Sequence, residues 1–354
     1  MKSMDVLLSA FGLDPLQGFT AISASQLAAS YFPAVNPELG TLVLEFESGE
    51  VAERAWTVLR KQYPPDHRVV WIRDLDRPSQ EISLGDLDSE AKGLALYLPP
   101  MAEGSSFEAL QDTVAHLRAP DGCPWDREQT HRSLRKHMLE EAYEVLEALD
   151  RSDLGGIQEE LGDLLLQILM HAQIAQEQGN FGMSDVVAGI RAKLIRRHPH
   201  VFGEVVVDGV EQVLDNWEHY KREETEAGPL EGVPRSMPAL AQAAVLQDRA
   251  SRVGFVWASI DEGMDKLKGV LDGSQSEIGR PMQAAELGEL LFAIVNYARE
   301  IQADPEAELQ RASRRFRSRF SNLLQALGDQ GRELEELDLA ETKRMWDDTK
   351  ELNA

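Results

Sequence analysis

Three observations predict a mainly α-helical protein in which a helical bundle is duplicated behind a small α/β domain. Apolar residues recur at helical spacing from Phe107 onward, whereas β-branched and aromatic runs are confined to residues 1–100. The stretch Leu139 to Met170 holds two acid-bearing helical segments joined by a short turn, which implies antiparallel neighbours. The segment Glu160-Leu-Gly-Asp-Leu-Leu-Leu then returns as Glu286-Leu-Gly-Glu-Leu-Leu-Phe, 126 residues on. Trp217-x-x-x-Lys221 returns as Trp346-x-x-x-Lys350, 129 residues on, so two features recur in one order at nearly one spacing.

The expected domains are 1–100, 101–228 and 229–354, in keeping with a length of 354 residues. In the first, Thr41 to Glu47 and Arg68 to Arg73 read as strands. Glu50 to Gln62 reads as a helix with Val51, Ala55, Val58 and Leu59 on one side. Phe107, Leu110, Val114 and Leu117 mark the next helix, which runs into Ala-Pro-Asp-Gly-Cys-Pro-Trp-Asp, a loop by its prolines and glycine. Helices are then expected at 131–149 and 157–178, with a turn at 153–156. Ser184 suits an N-cap for a further helix stopped by Pro199, and 211–224 forms another. Residues 228–238, rich in proline and glycine, read as a linker.

Residues three apart on a helix share a side, so Glu141 with Glu144, and Glu160 with Asp163, can each aim two carboxylates at one point. Three leucines follow Asp163 and cover most directions around the axis, which predicts a buried helix and an Asp163 that is no ordinary surface acid. Acids gathered without counter-charge repel one another and lose solvation, whereas a hard divalent cation held by oxygen ligands removes that cost. Two unrelated acidic helix faces would be the plainer reading; the leucine context speaks against it.

The net charge of −25 opposes nucleic-acid or anionic membrane partners. A hydrophobic content of 43% is ample for packed cores, so this charge does not imply disorder. One cysteine, Cys123, excludes an intrachain disulfide framework and fits a reducing cytoplasm. The start, Met-Lys-Ser-Met-Asp-Val-Leu-Leu, lacks a secretory pattern, and a soluble cytoplasmic protein is expected. Lys193 and Arg197 share a helix face, as an oligophosphate clamp requires, although cations near a helix C-terminus are common for dipole reasons alone. Trp217 with Lys221 suits a base platform beside a phosphate-seeking charge, although a lone tryptophan is more often core. His198-Pro-His200 reads as helix-stop chemistry rather than a zinc site. No Gly-x-x-x-x-Gly-Lys-Ser/Thr loop exists, which excludes a P-loop ATPase.

Together, Cys123-Pro-Trp-Asp-Arg-Glu-Gln-Thr-His131, Leu139-Glu-Glu-Ala-Tyr-Glu-Val-Leu146, Glu159-Glu-Leu-Gly-Asp-Leu-Leu165 and Lys193 to Phe202 resemble the MazG family of nucleoside triphosphate pyrophosphohydrolases. The resemblance spans roughly 104–350 and implies tandem all-α domains of four-helix-bundle type that pair in a homodimer. It implies magnesium ligands at Glu141, Glu144, Glu160 and Asp163, and nucleotide contacts from Lys193, Arg197, Trp217 and Lys221. Residues 1–100 resemble the back half of a tetrapyrrole methylase through Phe11-Gly-Leu-Asp-Pro-Leu-Gln-Gly, Asn36-Pro, Tyr63-Pro-Pro-Asp-His and Leu96-Tyr-Leu-Pro-Pro. The front half, which in that family carries the glycine-rich loops for S-adenosylmethionine, has no match, so no methyl transfer is expected.

The expected reaction is magnesium-dependent attack of water on the α-phosphorus of a (deoxy)nucleoside triphosphate, giving monophosphate and pyrophosphate. Glu140 is the candidate for orienting or deprotonating the water. In the second copy Glu141 is matched by Lys266 and Glu144 by Gly269, within Met264 to Leu271, and Asp163 by Glu289. That copy is expected to be structural or regulatory. A different class, a sensor or dimeric scaffold that binds magnesium and nucleotide without turnover, is disfavoured only by the intact first set.

Overall fold

The structure is a computed structural model, and it describes residues 4–46, 48–73, 78–87, 93–102, 104–223, 228–255 and 284–349. It divides into two compact units, Met1–Ala192 and Lys193–Ala354.

The first unit begins with α1 (Met4–Phe11), β1 (Phe19–Ser23), α2 (Ala24–Ala28), β2 (Gly40–Leu44), α3 (Gly49–Leu59), β3 (Arg68–Ile72), β4 (Gln80–Ser83) and β5 (Ala95–Leu98). The strands form one sheet in the order β1-β2-β5-β3-β4. Only β1 and β2 run parallel; β5 lies antiparallel between β2 and β3, with Thr41 opposite Leu98 and Val70 opposite Tyr97. Ser48 caps α3 by accepting from the Val51 amide, and the helix buries Ala52, Ala55, Trp56, Val58 and Leu59. Phe46, Trp56 and Trp71 then meet with ring centroids 4.8, 4.9 and 5.7 Å apart, the centre of this core. β1, β4 and β5 are additional to the two strands read from β-branched content. Of these, β1 is half-buried along its length and β4 half-exposed, so neither presents a continuous apolar run.

The helical part of this unit starts where Ser106 caps α4 (Phe107–Arg118). The Ser106 amide also donates to Glu38 Oε1 at 2.7 Å, and the Met101 amide donates to the Pro37 carbonyl at 2.7 Å. These bonds fasten the helix start to the α/β portion. After α4 the chain turns tightly at Gly122, where a Cβ would run into the carbonyls of His116 and Leu117. Pro124, expected in a loop, instead opens a short helix, α5 (Pro124–Glu128), at a position where its missing N–H costs nothing.

α6 (Arg135–Arg151) and α7 (Leu154–Glu177) follow as the predicted antiparallel pair. The first begins later than expected because Thr130 and Ser133 exchange amide-to-hydroxyl bonds of 2.9 and 3.1 Å, closing a turn over residues 131–134. The second begins earlier, since Ser152 takes a left-handed conformation and Asp153 caps α7 by accepting from the Gly156 amide. Val114, Leu134, Leu169, Met170, Ala172, Ile174 and Met183 form the helical core. α8 (Met183–Arg197) stops before Pro199 as expected, but Asp185 rather than Ser184 binds the leading amide, that of Gly182, at 2.9 Å.

The second unit contains the short α9 (Pro199–Phe202), α10 (Gly209–Glu223), α11 (Ala239–Arg252), α12 (Ala284–Glu300), α13 (Pro305–Asp329) and α14 (Leu339–Asp348). α11 packs against α12 and α13, and the buried Gln247 side chain donates to the Phe292 carbonyl at 2.8 Å. No described helix is long and apolar enough to cross a membrane. The Met264 to Leu271 segment and Lys350 lie outside the described residues.

Candidate metal centre

The Ser152–Asp153 turn is so short that α6 and α7 pack along their lengths, and their acidic turns face each other. Carboxylate oxygens of Glu141, Glu144 and Glu160 all lie within 4.8 Å of one another. Glu141 and Glu160 are half-buried and Glu144 is exposed. Asp163 stands one turn along α7 from Glu160, and its charge acts on Glu141. Contrary to expectation Asp163 is exposed. Only the C-terminal half of α7 is well covered: Leu169, Met170, Ala172, Ile174 and Ala175 are buried, whereas Leu161 keeps half its surface exposed. The run of leucines therefore does not enclose the acids within this chain.

Electrostatics mark the cluster as strained by like charge. Partial burial, a hydrogen bond with Glu144 and the charges of Asp163, Glu144 and Glu160 raise the Glu141 pKa above its ordinary value. Glu160 is raised too, by partial burial and then by Glu144, Glu159 and Asp163. Within this unit no described lysine or arginine pairs with any of the four. Clustered oxygens that hold protons above their ordinary range, without cationic partners, are a donor set that fits a hard divalent cation. No cysteine or histidine belongs to the cluster.

Glu140 points elsewhere. Its carboxylate meets His137 Nδ1 at 3.1 Å, and the edge of the Trp125 ring faces His137 at 6.2 Å between centroids. Lys193 and Arg197 sit one turn apart on α8, with Lys193 exposed. The Arg197 guanidinium lies over the Trp217 ring, 5.3 Å from its centroid, and His198 meets the same ring edge-on at 4.8 Å. Lys221 is on α10, but its side chain lies outside the described residues. His198 Nδ1 approaches the Leu194 carbonyl at 2.7 Å, in line with helix-stop chemistry.

Sequence reasoning missed the residues that brace this framework. Arg118 is almost wholly buried and holds both oxygens of Glu177, at 2.9 and 2.7 Å, while binding the Asp126 and Gln129 carbonyls. It thereby ties α4, the α5 segment and the end of α7 together. His131 and His171 form a second brace, their Nδ1 atoms 2.7 Å apart. No spacing rule signals either, because the partners are 59 and 40 residues apart.

Converging carboxylates on paired helices define a helical protein with a cluster of oxygen donors that could hold a metal ion. A family model for the MazG nucleotide pyrophosphohydrolase domain matches residues 129–202, which include all four acids. The nucleoside triphosphate pyrophosphohydrolase of Escherichia coli (strain K12) is 38% identical over 256 residues, covering 70% of this chain and 97% of that protein. The Bacillus subtilis protein YabN, described as uncharacterized, is 35% identical over 365 residues, covering 98% of this chain and 74% of its own length. A solved MazG-related protein from Thermotoga maritima aligns at 27% identity and a TM-score of 0.29, over 32% of this chain and 98% of that one. The chain belongs to the MazG nucleotide pyrophosphohydrolase family, hydrolases acting on phosphoric anhydrides.

Proposed function

We propose that the first helical copy hydrolyses nucleoside triphosphates, ribo or deoxy, to the monophosphate and pyrophosphate in a magnesium-dependent reaction of the nucleotide-pool house-cleaning kind. The observation that carries this reading is the convergence of Glu141, Glu144 and Glu160 within 4.8 Å. With Asp163 they would hold Mg²⁺, which when bound supplies charge to orient the triphosphate and to make water a stronger nucleophile. The chain's own groups do the rest. Lys193 and Arg197 offset charge on the departing pyrophosphate, Arg197 being set by its stacking on Trp217. Trp217 and Lys221 would place the base and a phosphate. Glu140 is engaged by His137 at 3.1 Å, so its part in orienting or deprotonating the water would run through that pair.

The domain division 1–100, 101–228 and 229–354 belongs to this reading, with a second copy that does no chemistry. So does a homodimer: Leu139, Tyr143, Leu146 and Leu149 on α6 are exposed apolar residues, a surface suited to burial between helical copies. A cytoplasmic setting fits a free thiol at Cys123.

The test is product identity. With ATP or a deoxynucleoside triphosphate, magnesium and added inorganic pyrophosphatase, two phosphates should appear per nucleotide, alongside monophosphate. Diphosphate with a single orthophosphate would refute attack at the α-phosphorus. Tight binding with no product would favour the sensor reading instead.

A further inference from the structure

We propose that His131 and His171 form a proton-operated clasp between the turn before α6 and the body of α7, closed while at most one of the two imidazoles is cationic and opened when both are. Their Nδ1 atoms lie 2.7 Å apart and the rings are within 3° of parallel. The centroid separation of 5.0 Å is close to that contact plus one imidazole radius at each end, so the two nitrogens point at each other. One Nδ1 must then carry a proton and donate it, while the other offers its lone pair. A first added proton goes to the outer Nε2 of the donating ring and leaves this bond intact, now charge-assisted. A second has only the accepting Nδ1 to bind. Two N–H groups and two positive charges then meet head to head.

Neither backbone can withdraw freely. His131 belongs to the turn closed by the Thr130 and Ser133 bonds, with Arg118 binding the Gln129 carbonyl before it and the buried Leu134 after it. His171 projects from the well-covered half of α7. No carboxylate stands ready to neutralise a second charge. On α7 the acids nearest in sequence are Asp163, about two turns away, and Glu177, which is held by Arg118 of α4. Arg132 in the turn and Arg135 on α6 carry positive charge, and Glu128 on α5 is not among the groups that act on His171. Burial, and then the charge of His131, hold the His171 pKa below its ordinary value of 6.5. The folded chain therefore binds fewer protons than the unfolded chain just below 6.5, and this contribution to stability is lost as pH falls through that window. One turn before His171, the buried Gln167 Oε1 has no donor among the described residues. It is an acceptor to which the protonated His171 ring can turn when the clasp opens.

The test follows the imidazole nitrogens of the full chain by NMR as pH falls from 8 to 4.5, with EDTA present and with signals assigned through His131→Gln and His171→Gln. In the wild type one ring of the pair should stay neutral, accepting at Nδ1, while the other is cationic. The last proton should enter about one pH unit or more below 6.5. In either variant the remaining ring should take up its proton at a higher pH than that last step. Thermal unfolding is the second readout. The fall in unfolding temperature between pH 7 and pH 5 should be larger in the wild type than in either variant or in the double variant. The carboxylates and other histidines titrate alike in all of these chains and cancel. Two independent titrations within the pair, or a fall no larger in the wild type than in the double variant, overturns the clasp. Neither readout involves nucleotide or magnesium, so the result stands apart from that of the pyrophosphate assay.

Discussion

Each carboxylate in the α6–α7 cluster has a consequence that its neighbours set. On the proposed reading, replacing Glu141 or Glu160 by glutamine removes a donor that would contact the cation itself. The loss of pyrophosphate release should exceed the roughly 10–100-fold typical of residues one shell further out. A loss under about threefold for both, at saturating magnesium, would rule out the cluster as the metal site. pH reports the same groups. Because Glu141 and Glu160 are raised, the folded metal-free chain binds more protons than the unfolded chain just above the ordinary value of 4.5. Their contribution therefore falls as pH rises through that window and stays unfavourable at neutrality. Magnesium should raise the unfolding temperature more at pH 7 than at pH 5, since protons compete for its ligands. A magnesium effect independent of pH would contradict this assignment. Arg118 is a structural counterpart: Arg118→Ala should cost about 2 kcal/mol in urea unfolding, discounted from a fully buried pair because Glu177 is partly exposed.

Helix ends decide which side chains meet. Asp153 accepts from the Gly156 amide and so fixes where α7 begins, which places Glu160 opposite Glu141 and Glu144. Asp153→Ala should cost about 1 kcal/mol of stability by loss of the cap, with Asp153→Asn recovering most of it. If the two variants unfold alike, the carboxylate's bond to that amide is not what holds the start of α7. The α4 start shows the same economy at longer range: Glu38 receives the Ser106 amide, and hydrogen bonding with the Ser106 side chain, then with that amide, lowers its pKa. A depressed carboxylate stabilises above its unfolded pKa, and the contribution fades as pH falls through the folded value. The α4 helix was legible from the apolar spacing of Phe107, Leu110, Val114 and Leu117, whereas its Ser106 cap emerged from the structure. The α5 helix was not legible, since Pro124 and Gly122 carry loop signals and only the fixed approach of Gly122 to His116 and Leu117 leaves room for a turn of helix.

At the scale of the whole molecule, the proposed reading gives the two copies unequal equipment. Glu141→Gln or Asp163→Asn should abolish most activity, whereas Glu286→Gln or Glu289→Gln should leave it close to that of wild type. Equal loss from both sets, with folding intact, would assign the chemistry to both copies. The α/β portion should bind no S-adenosylmethionine, since the segments by which its sequence resembles a methylase belong to that family's back half. Micromolar binding by calorimetry would refute this.

The sequence alone determined the acids, their helical spacing, the antiparallel pairing and the internal repeat, because each depends on residue type within one or two turns or on plain recurrence. It also carried the family resemblance that the MazG match on residues 129–202 bears out. Tertiary structure decided what depends on distance through space. It brought Glu141, Glu144 and Glu160 within 4.8 Å, turned Glu140 toward His137 and laid arginines over Trp217 and Trp346. It also left Asp163 exposed, against the expectation from its leucines. Periodicity tells which residues share a helix face, but burial depends on what packs against that face, and the N-terminal half of α7 is only partly covered within this chain.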